Sequence, residues 1–130
     1  MFLSSLSKEQ QKIFLAIAMK IIGADGILEP RERLTIEAMR YEMGLFTDTD
    51  LPKGELEDIV KPLDTRKSRV ITMLESIGLA YADEDLGKEE QKILRALALL
   101  FGFSEEEAGN MEDWVLRYRK LMQEAAAMFE

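Results

Sequence analysis

Apolar residues recur at intervals of three and four along almost the whole of this 130-residue chain. Such spacing places them on one face of an α-helix, whereas a half-buried strand would show strict alternation of apolar and polar residues, which no segment has. The sequence therefore predicts an all-α protein. Its length suits one domain, residues 1–130, with a single hydrophobic core.

Local signals mark where the predicted helices begin and end. Capping-box patterns, in which side chains satisfy free N–H groups at a helix start, occur at Ser7 with Gln10 and at Ser104 with Glu107. Pro30 suits the first position of a second helix. The other boundary residues are Gly44, Asp64 or Thr65, and Gly87. The predicted buried stripes include Leu34, Met39 and Met43 in the second helix, and Met111, Trp114, Val115, Tyr118, Leu121, Met122 and Ala125 in the last.

Two acidic stretches follow the same pattern at one offset along the chain. Asp25 corresponds to Asp83 and Glu32 to Glu90, and both pairs are 58 residues apart. The shared pattern is A-D-x2-[apolar]-x3-E-x11-G, so an alanine precedes each aspartate and a glycine follows each second helix. Two copies are too few for a solenoid, so we interpret the pattern as a duplicated helix–loop–helix hairpin.

The duplication predicts a specific all-α architecture. The repeat halves span about 7–46 and 65–104, and we expect the two hairpins to pack face to face about a pseudo-twofold axis in a single helical bundle. Between them the prolines and glycine of 47–65 leave room only for a short connector helix. A long C-terminal helix over about 105–128 completes the bundle.

The repeated acids are candidate ligands for a metal ion. Each copy places an aspartate at the exit of one helix and a glutamate near the start of the next, so both carboxylates border the same loop. Oxygen donors without histidine or cysteine suit a hard divalent cation, namely calcium, magnesium or manganese. The candidate metal ligands are Asp25, Glu32, Asp83 and Glu90, with Glu29 and Asp85 as additional donors.

A second interpretation of the same acids needs no metal. Glu32 and Glu90 stand where the acid of a capping box would stand, and an acid in the first turn of a helix contributes roughly 0.3–1 kcal/mol through the helix dipole. Asp25 and Asp83 follow helix C-termini, where the dipole disfavours them, although aspartate also forms turns through its own backbone. Capping explains the glutamates better than it explains the aspartates.

Composition and charge exclude several classes of function. The chain has no cysteine and no histidine, which removes thiol nucleophiles, Ser-His relays, imidazole metal sites and disulfides. A formal charge of −8 opposes binding to nucleic acid or to an anionic membrane surface. No signal peptide or membrane-spanning run is evident, so we expect a cytoplasmic protein.

The motif Ala24-Asp25-Gly26 through Glu32, echoed by Ala82-Asp83 through Glu90, resembles the TerB-like family, which is named for tellurite resistance. The resemblance runs from Ser7 to the last helix. It implies an all-helical bundle of two related halves, an acidic divalent-cation site and a role in stress response or as an interaction module. Glu84 stands where the family has glycine, so the second copy departs from the pattern there and gains a further carboxylate.

Three functional hypotheses follow from the residues and the resemblance. The first is a non-catalytic module that binds a divalent cation and acts in stress response or regulation. The second is a protein–protein interaction scaffold, similar to a co-chaperone, in which the acids cap helices and no metal binds. An enzyme ranks third. Acid–base catalysis by paired carboxylates needs one carboxyl group whose pKa is raised in an apolar cleft, whereas these acids lie in loops rich in other acids. The N-terminal run Met1-Phe2-Leu3 either folds onto the bundle or forms a homodimer contact.

Overall fold

The structure is a computed structural model that describes residues 1–23, 29–46, 50–82 and 86–130. Within those ranges it contains six packed helices and no strand. The helices are α1 (Lys8–Ile22), α2 (Pro30–Met43), α3 (Leu56–Ile59), α4 (Arg66–Ala80), α5 (Lys88–Phe101) and α6 (Glu105–Met128), preceded by a 3-10 turn at Leu3–Ser5. The predicted all-α class and the long C-terminal helix are confirmed.

Two helices begin with the capping boxes that the sequence predicts. At α1, the Gln10 N–H donates to Ser7 Oγ over 3.2 Å, and the Ser7 N–H donates to Gln10 Oε1 over 2.8 Å. At α6, Ser104 and Glu107 exchange the same two hydrogen bonds, both at 3.1 Å. Each box satisfies two N–H groups that have no partner inside the helix, which fixes the first turn.

The helix boundaries repeat along the chain. The first and last residues of α4 lie 58 residues after those of α1, and α5 stands in the same relation to α2. Gly44 and Gly102 end α2 and α5 with φ of 69° and 77°. The next residues, Leu45 and Phe103, each donate their N–H to a carbonyl five residues earlier, over 2.8 and 2.9 Å. Since a Cβ is strained at such positive φ, both hairpins need glycine at this position.

The first helices of the two hairpins form the centre of the bundle. Helix α1 contacts α2, α3, α4 and α5, and helix α4 contacts α1, α5 and α6. All six residues of α1 from 13 to 18 are buried, as expected for a helix surrounded by others. None of the described helices combines the length and the apolar character needed to cross a membrane.

The outer helix α2 is more exposed than its sequence predicts. Only Ile36 and Met43 are buried, and Leu34, which we place on the buried stripe, is 66% exposed. Burial of α2 comes mainly from α1 and from the 3-10 turn, so the part of its surface that Leu34 occupies faces solvent. The prediction for Leu34 is therefore wrong.

The apolar stripe of α6 packs against the bundle only over its first half. Val115 is fully buried and Trp114 is half-buried, whereas Leu121 is 59% exposed and Met122 is 49% exposed. The prediction that Leu121 and Met122 belong to the buried stripe is therefore wrong.

The N-terminal run folds onto the bundle. Leu3 is buried, and the Phe2 ring lies 5.8 Å from the Trp114 ring, measured between centroids. The Phe2 N–H donates to Glu75 Oε1 of α4 over 2.6 Å, and the amino group of Met1 lies 2.9 Å from the same oxygen. Of the two alternatives for this run, the structure shows the intramolecular one.

Candidate cation site

One small cavity lies where the two hairpin loops begin and end. Its volume is about 20 Å³, room for about one water molecule or one ion. Its lining comes from the end of α1, the start of α2, the end of α4 and the start of α5, with Ile21, Ile22, Glu32, Thr35, Leu79, Ala82 and Glu90. The cavity therefore brings together a glutamate from each repeat copy, although the two are 58 residues apart in sequence.

Glu32 is held at the cavity by the capping geometry of α2. It is the third residue of the helix, and its Oε1 accepts a hydrogen bond from the Glu29 N–H over 2.9 Å. This bond satisfies one free N–H at the helix start, as the metal-free interpretation predicts. Glu29 is exposed and does not line the cavity.

Glu90 occupies the corresponding place at the start of α5. It is the third residue of that helix, is half-buried, and reaches back towards Gly87, where an added Cβ would lie 3.4 Å from Glu90 Oε1. The two glutamates thus share both their helix position and their cavity. Helix packing, rather than proximity in sequence, brings them together.

The aspartates of the motif lie outside the described residues, as do Asp85 and Glu84. Ala82, which directly precedes Asp83 in the sequence, lines the cavity. Within the described ranges no group of three or more acidic side chains is arranged to hold a metal ion. Of the three candidate carboxylates among the described residues, Glu32 and Glu90 line the cavity and Glu29 does not.

The chemistry of the cavity suits a cation more than an anion. Two carboxylates border it, and Thr35 adds a hydroxyl whose own proton is donated to the Arg31 carbonyl over 3.1 Å. Buried Ile21 and Ile22 form the apolar wall, where a lower local dielectric strengthens attraction between a carboxylate and a cation. Calcium takes six to eight oxygens and magnesium takes six, so two glutamates alone leave most coordination positions to loop oxygens or water.

The end of α4 beside this cavity is tied to α6. Tyr81, the residue after α4, donates its hydroxyl hydrogen to Glu112 Oε1. Burial raises the pKa of Tyr81 to about 12, and the hydrogen bond to the Glu112 carboxylate adds to the effect. This contact fixes the helix from which the second loop departs.

The raised pKa of Tyr81 predicts a loss of stability at alkaline pH. The ordinary value is 10.0, so between about pH 10 and pH 12 the unfolded chain loses a proton that the folded protein keeps. The contribution is fully present below that window and is lost as the pH rises through it. We expect the free energy of unfolding, measured by denaturant titration, to fall less steeply there for Tyr81→Phe than for the wild type. If the free energy of unfolding falls equally steeply for the two proteins, the raised pKa of Tyr81 is contradicted.

A second, larger cavity was not predicted from the sequence. It has a volume of about 260 Å³ and lies between α4, α5 and α6. Most of its lining is apolar and comes from Met73, Ile77, Leu94, Ala98, Leu99, Phe103 and Ala108, with Arg95, Ser104, Glu105 and Glu112 completing it. Two small residues line it, Ala98 on α5 and Ala108 on α6, and small side chains at a helix contact are a sequence feature compatible with such a space.

No family model, no curated protein and no solved structure matches this chain. The resemblance to the TerB-like family therefore stays a prediction that rests on the two loop motifs.

Proposed function

We propose that this protein is a non-catalytic helical module that binds one divalent cation between its two hairpin loops. The observation that supports this proposal is the shared cavity lined by Glu32 and Glu90. The proposed ligands are these two glutamates with Asp25 and Asp83, while Glu29 and Asp85 are further donors. A cation at this position would join the two hairpins, and a single shared cavity favours one site over two.

The proposal includes a pseudo-twofold relation between the hairpins. The matched boundaries of α1 with α4 and of α2 with α5 support it, as does the contact between α1 and α4. A site near such an axis receives equivalent ligands from both copies. Following the family resemblance, we propose a role in stress response or regulation in the cytoplasm, with calcium, magnesium or manganese as the ion.

The test measures thermal unfolding of the metal-stripped protein against each of these three cations. A cation that binds only the folded state, present at about 100 times its dissociation constant, should add ~2.7 kcal/mol, or roughly 10 °C in a chain of this length. We expect this rise to be lost in Glu32→Gln/Glu90→Gln and in Asp25→Asn/Asp83→Asn. In Glu32→Gln the new amide keeps an oxygen for the Glu29 N–H, so capping is preserved while the charge is removed.

A matched control separates a specific site from general charge effects. Glu9 and Glu106 also stand in the first turn of a helix, and both lie away from the cavity. Glu9→Gln/Glu106→Gln removes the same charge and should keep the full response to the cation. No rise in the wild type at millimolar calcium, magnesium or manganese would overturn the proposal.

The second candidate function is a protein-interaction scaffold that binds no metal. The hydrogen bond of 2.9 Å between the Glu29 N–H and Glu32 Oε1 favours it, because capping alone gives that carboxylate a structural role. On this hypothesis the melting temperature is independent of cations. The loss of the Glu32 charge then changes stability by no more than a helix-dipole interaction, roughly 0.3–1 kcal/mol.

A further inference from the structure

The apolar stripe of α6 continues beyond the part of the helix that the bundle covers. Two series of apolar positions follow a seven-residue repeat: Met111, Trp114, Tyr118, Leu121, Ala125 and Met128 alternate spacings of three and four, and Val115, Met122 and Phe129 recur every seven. Val115 is fully buried against the bundle. From Leu121 onward the large side chains of both series are exposed, and the last two are the most exposed: Met128 at 81% and Phe129 at 87%.

We call residues 116–130 the α6 tail. Its helical part is about 20 Å long at 1.5 Å per residue. A continuous apolar face of this kind on a folded domain marks an interaction surface more often than an isolated exposed leucine does. The exposed stripe has the same three-and-four spacing as the first half of α6, which packs against another helix, α4. The partner that fits the exposed stripe is therefore also a helix.

The charges beside the stripe specify how a second helix would lie. Arg117 and Glu124 are seven residues apart, so they stand on the same edge of the stripe with opposite charge. In an antiparallel pair of tails, Arg117 of each copy faces Glu124 of the other, which forms two reciprocal ion pairs. In this register residues 116–125 of the two copies lie side by side. In a parallel pair the same residues would face the apolar positions of Met122 and Phe129. The edge charges therefore favour the antiparallel arrangement.

The net charge of the tail also permits two copies to meet there. The chain as a whole carries a charge of −8, whereas the tail has the bases Arg117, Arg119 and Lys120 against the acids Glu124 and Glu130. The repulsion between two acidic molecules is therefore lower at this face than the net charge of the chain suggests.

We propose that the α6 tails of two copies of this chain pair antiparallel to form a twofold-symmetric dimer. Each tail presents the same stripe and the same two charges to the other, so the interface is used up in the dimer and no further copy can add to it. Its small area places it among weak, concentration-dependent associations. The proposal is independent of the cation site, which lies at the hairpin loops.

Sedimentation equilibrium tests the proposal with the full chain, at loading concentrations from about 1 to about 300 µM, the range in which a small interface dissociates. We expect the wild type to pass from monomer to dimer over this range and Leu121→Glu/Met122→Glu, which changes two exposed residues of the overlap, to stay monomeric. The matched control is Leu34→Glu/Leu99→Glu, which changes two leucines that are 66% and 79% exposed on α2 and α5. This control should dimerise like the wild type, and both variants should keep the melting temperature of the monomer.

A charge exchange tests the antiparallel register. Arg117→Glu or Glu124→Arg alone places like charges opposite each other in both ion pairs, and each should weaken the dimer roughly fivefold. The double variant Arg117→Glu/Glu124→Arg restores opposite charges and should recover the wild-type dissociation constant. Three results would each overturn the proposal: a wild type that stays monomeric throughout, a dimer that survives Leu121→Glu/Met122→Glu, or a charge-exchange double variant whose dissociation constant does not recover.

Discussion

Replacing Phe14 with alanine is expected to lower the free energy of unfolding by about 3–5 kcal/mol, the usual range for truncating a buried aromatic side chain. Phe14 is fully buried on α1, the helix that contacts α2, α3, α4 and α5. The missing ring would leave a cavity at the centre of the bundle, which a rigid set of surrounding helices fills only in part. Denaturant titration followed by circular dichroism measures the change directly.

The matched control for Phe14 lies at the same position of the second repeat copy. Thr72 stands 58 residues later on α4 and is also fully buried, and its hydroxyl has no hydrogen-bond partner among the described residues. Thr72→Val keeps nearly the same shape and removes an unpaired polar group, so we expect stability to be unchanged or to rise by about 1 kcal/mol.

The outcome that would contradict the central position of α1 is a loss of less than about 1 kcal/mol for Phe14→Ala.

Replacing Glu75 with alanine is expected to cost about 3 kcal/mol, as when one partner of a buried ion pair is removed. Glu75 is buried on α4, where its Oε1 accepts the Phe2 N–H over 2.6 Å and lies 2.9 Å from the Met1 amino group. Without the carboxylate, the Phe2 N–H and the Met1 amino group both lose their partner. The N-terminal run then loses two of the contacts that hold it against the bundle. Glu75→Gln keeps one acceptor oxygen and should cost less, which makes it the control.

The single tryptophan reports on this N-terminal contact. Trp114 lies against the Phe2 ring at 5.8 Å and against the Tyr118 ring at 5.6 Å, measured between centroids. If the N-terminal run detaches in Glu75→Ala, Trp114 becomes more exposed to water and its fluorescence shifts to longer wavelength while helicity is retained. An unchanged emission maximum together with unchanged stability would refute this role for Glu75.

The helix boundaries could be predicted from the sequence because they depend on local interactions. Ser7 and Ser104 cap their helices through bonds to residues three positions away, and Gly44 ends α2 because its own backbone takes a positive φ. None of these signals requires knowledge of the rest of the fold. The all-α class follows from the same local pattern together with the three-to-four spacing of apolar residues.

The candidate site could be predicted only in part. The repeat predicts that Glu32 and Glu90 hold equivalent positions, and the sequence alone leaves open whether they share a site. The cavity that both line depends on how the ends of α1 and α4 meet the starts of α2 and α5, which is a matter of packing between distant segments. The contributions of Asp25 and Asp83 stay predictions, since both lie outside the described residues.

The sequence by itself determined the helices, their ends and the duplication, because these features depend on bonds within a few residues and on a pattern repeated in the chain. Only the tertiary structure decided which faces are covered. On α4 it buries the polar residues Ser68, Thr72, Glu75 and Ser76, while the apolar Val70 and Leu74 remain half-exposed. An apolar stripe predicts that a face can be buried, but whether another helix reaches it depends on the arrangement of the whole bundle. The α6 tail, whose apolar stripe extends past the bundle, shows this difference most directly.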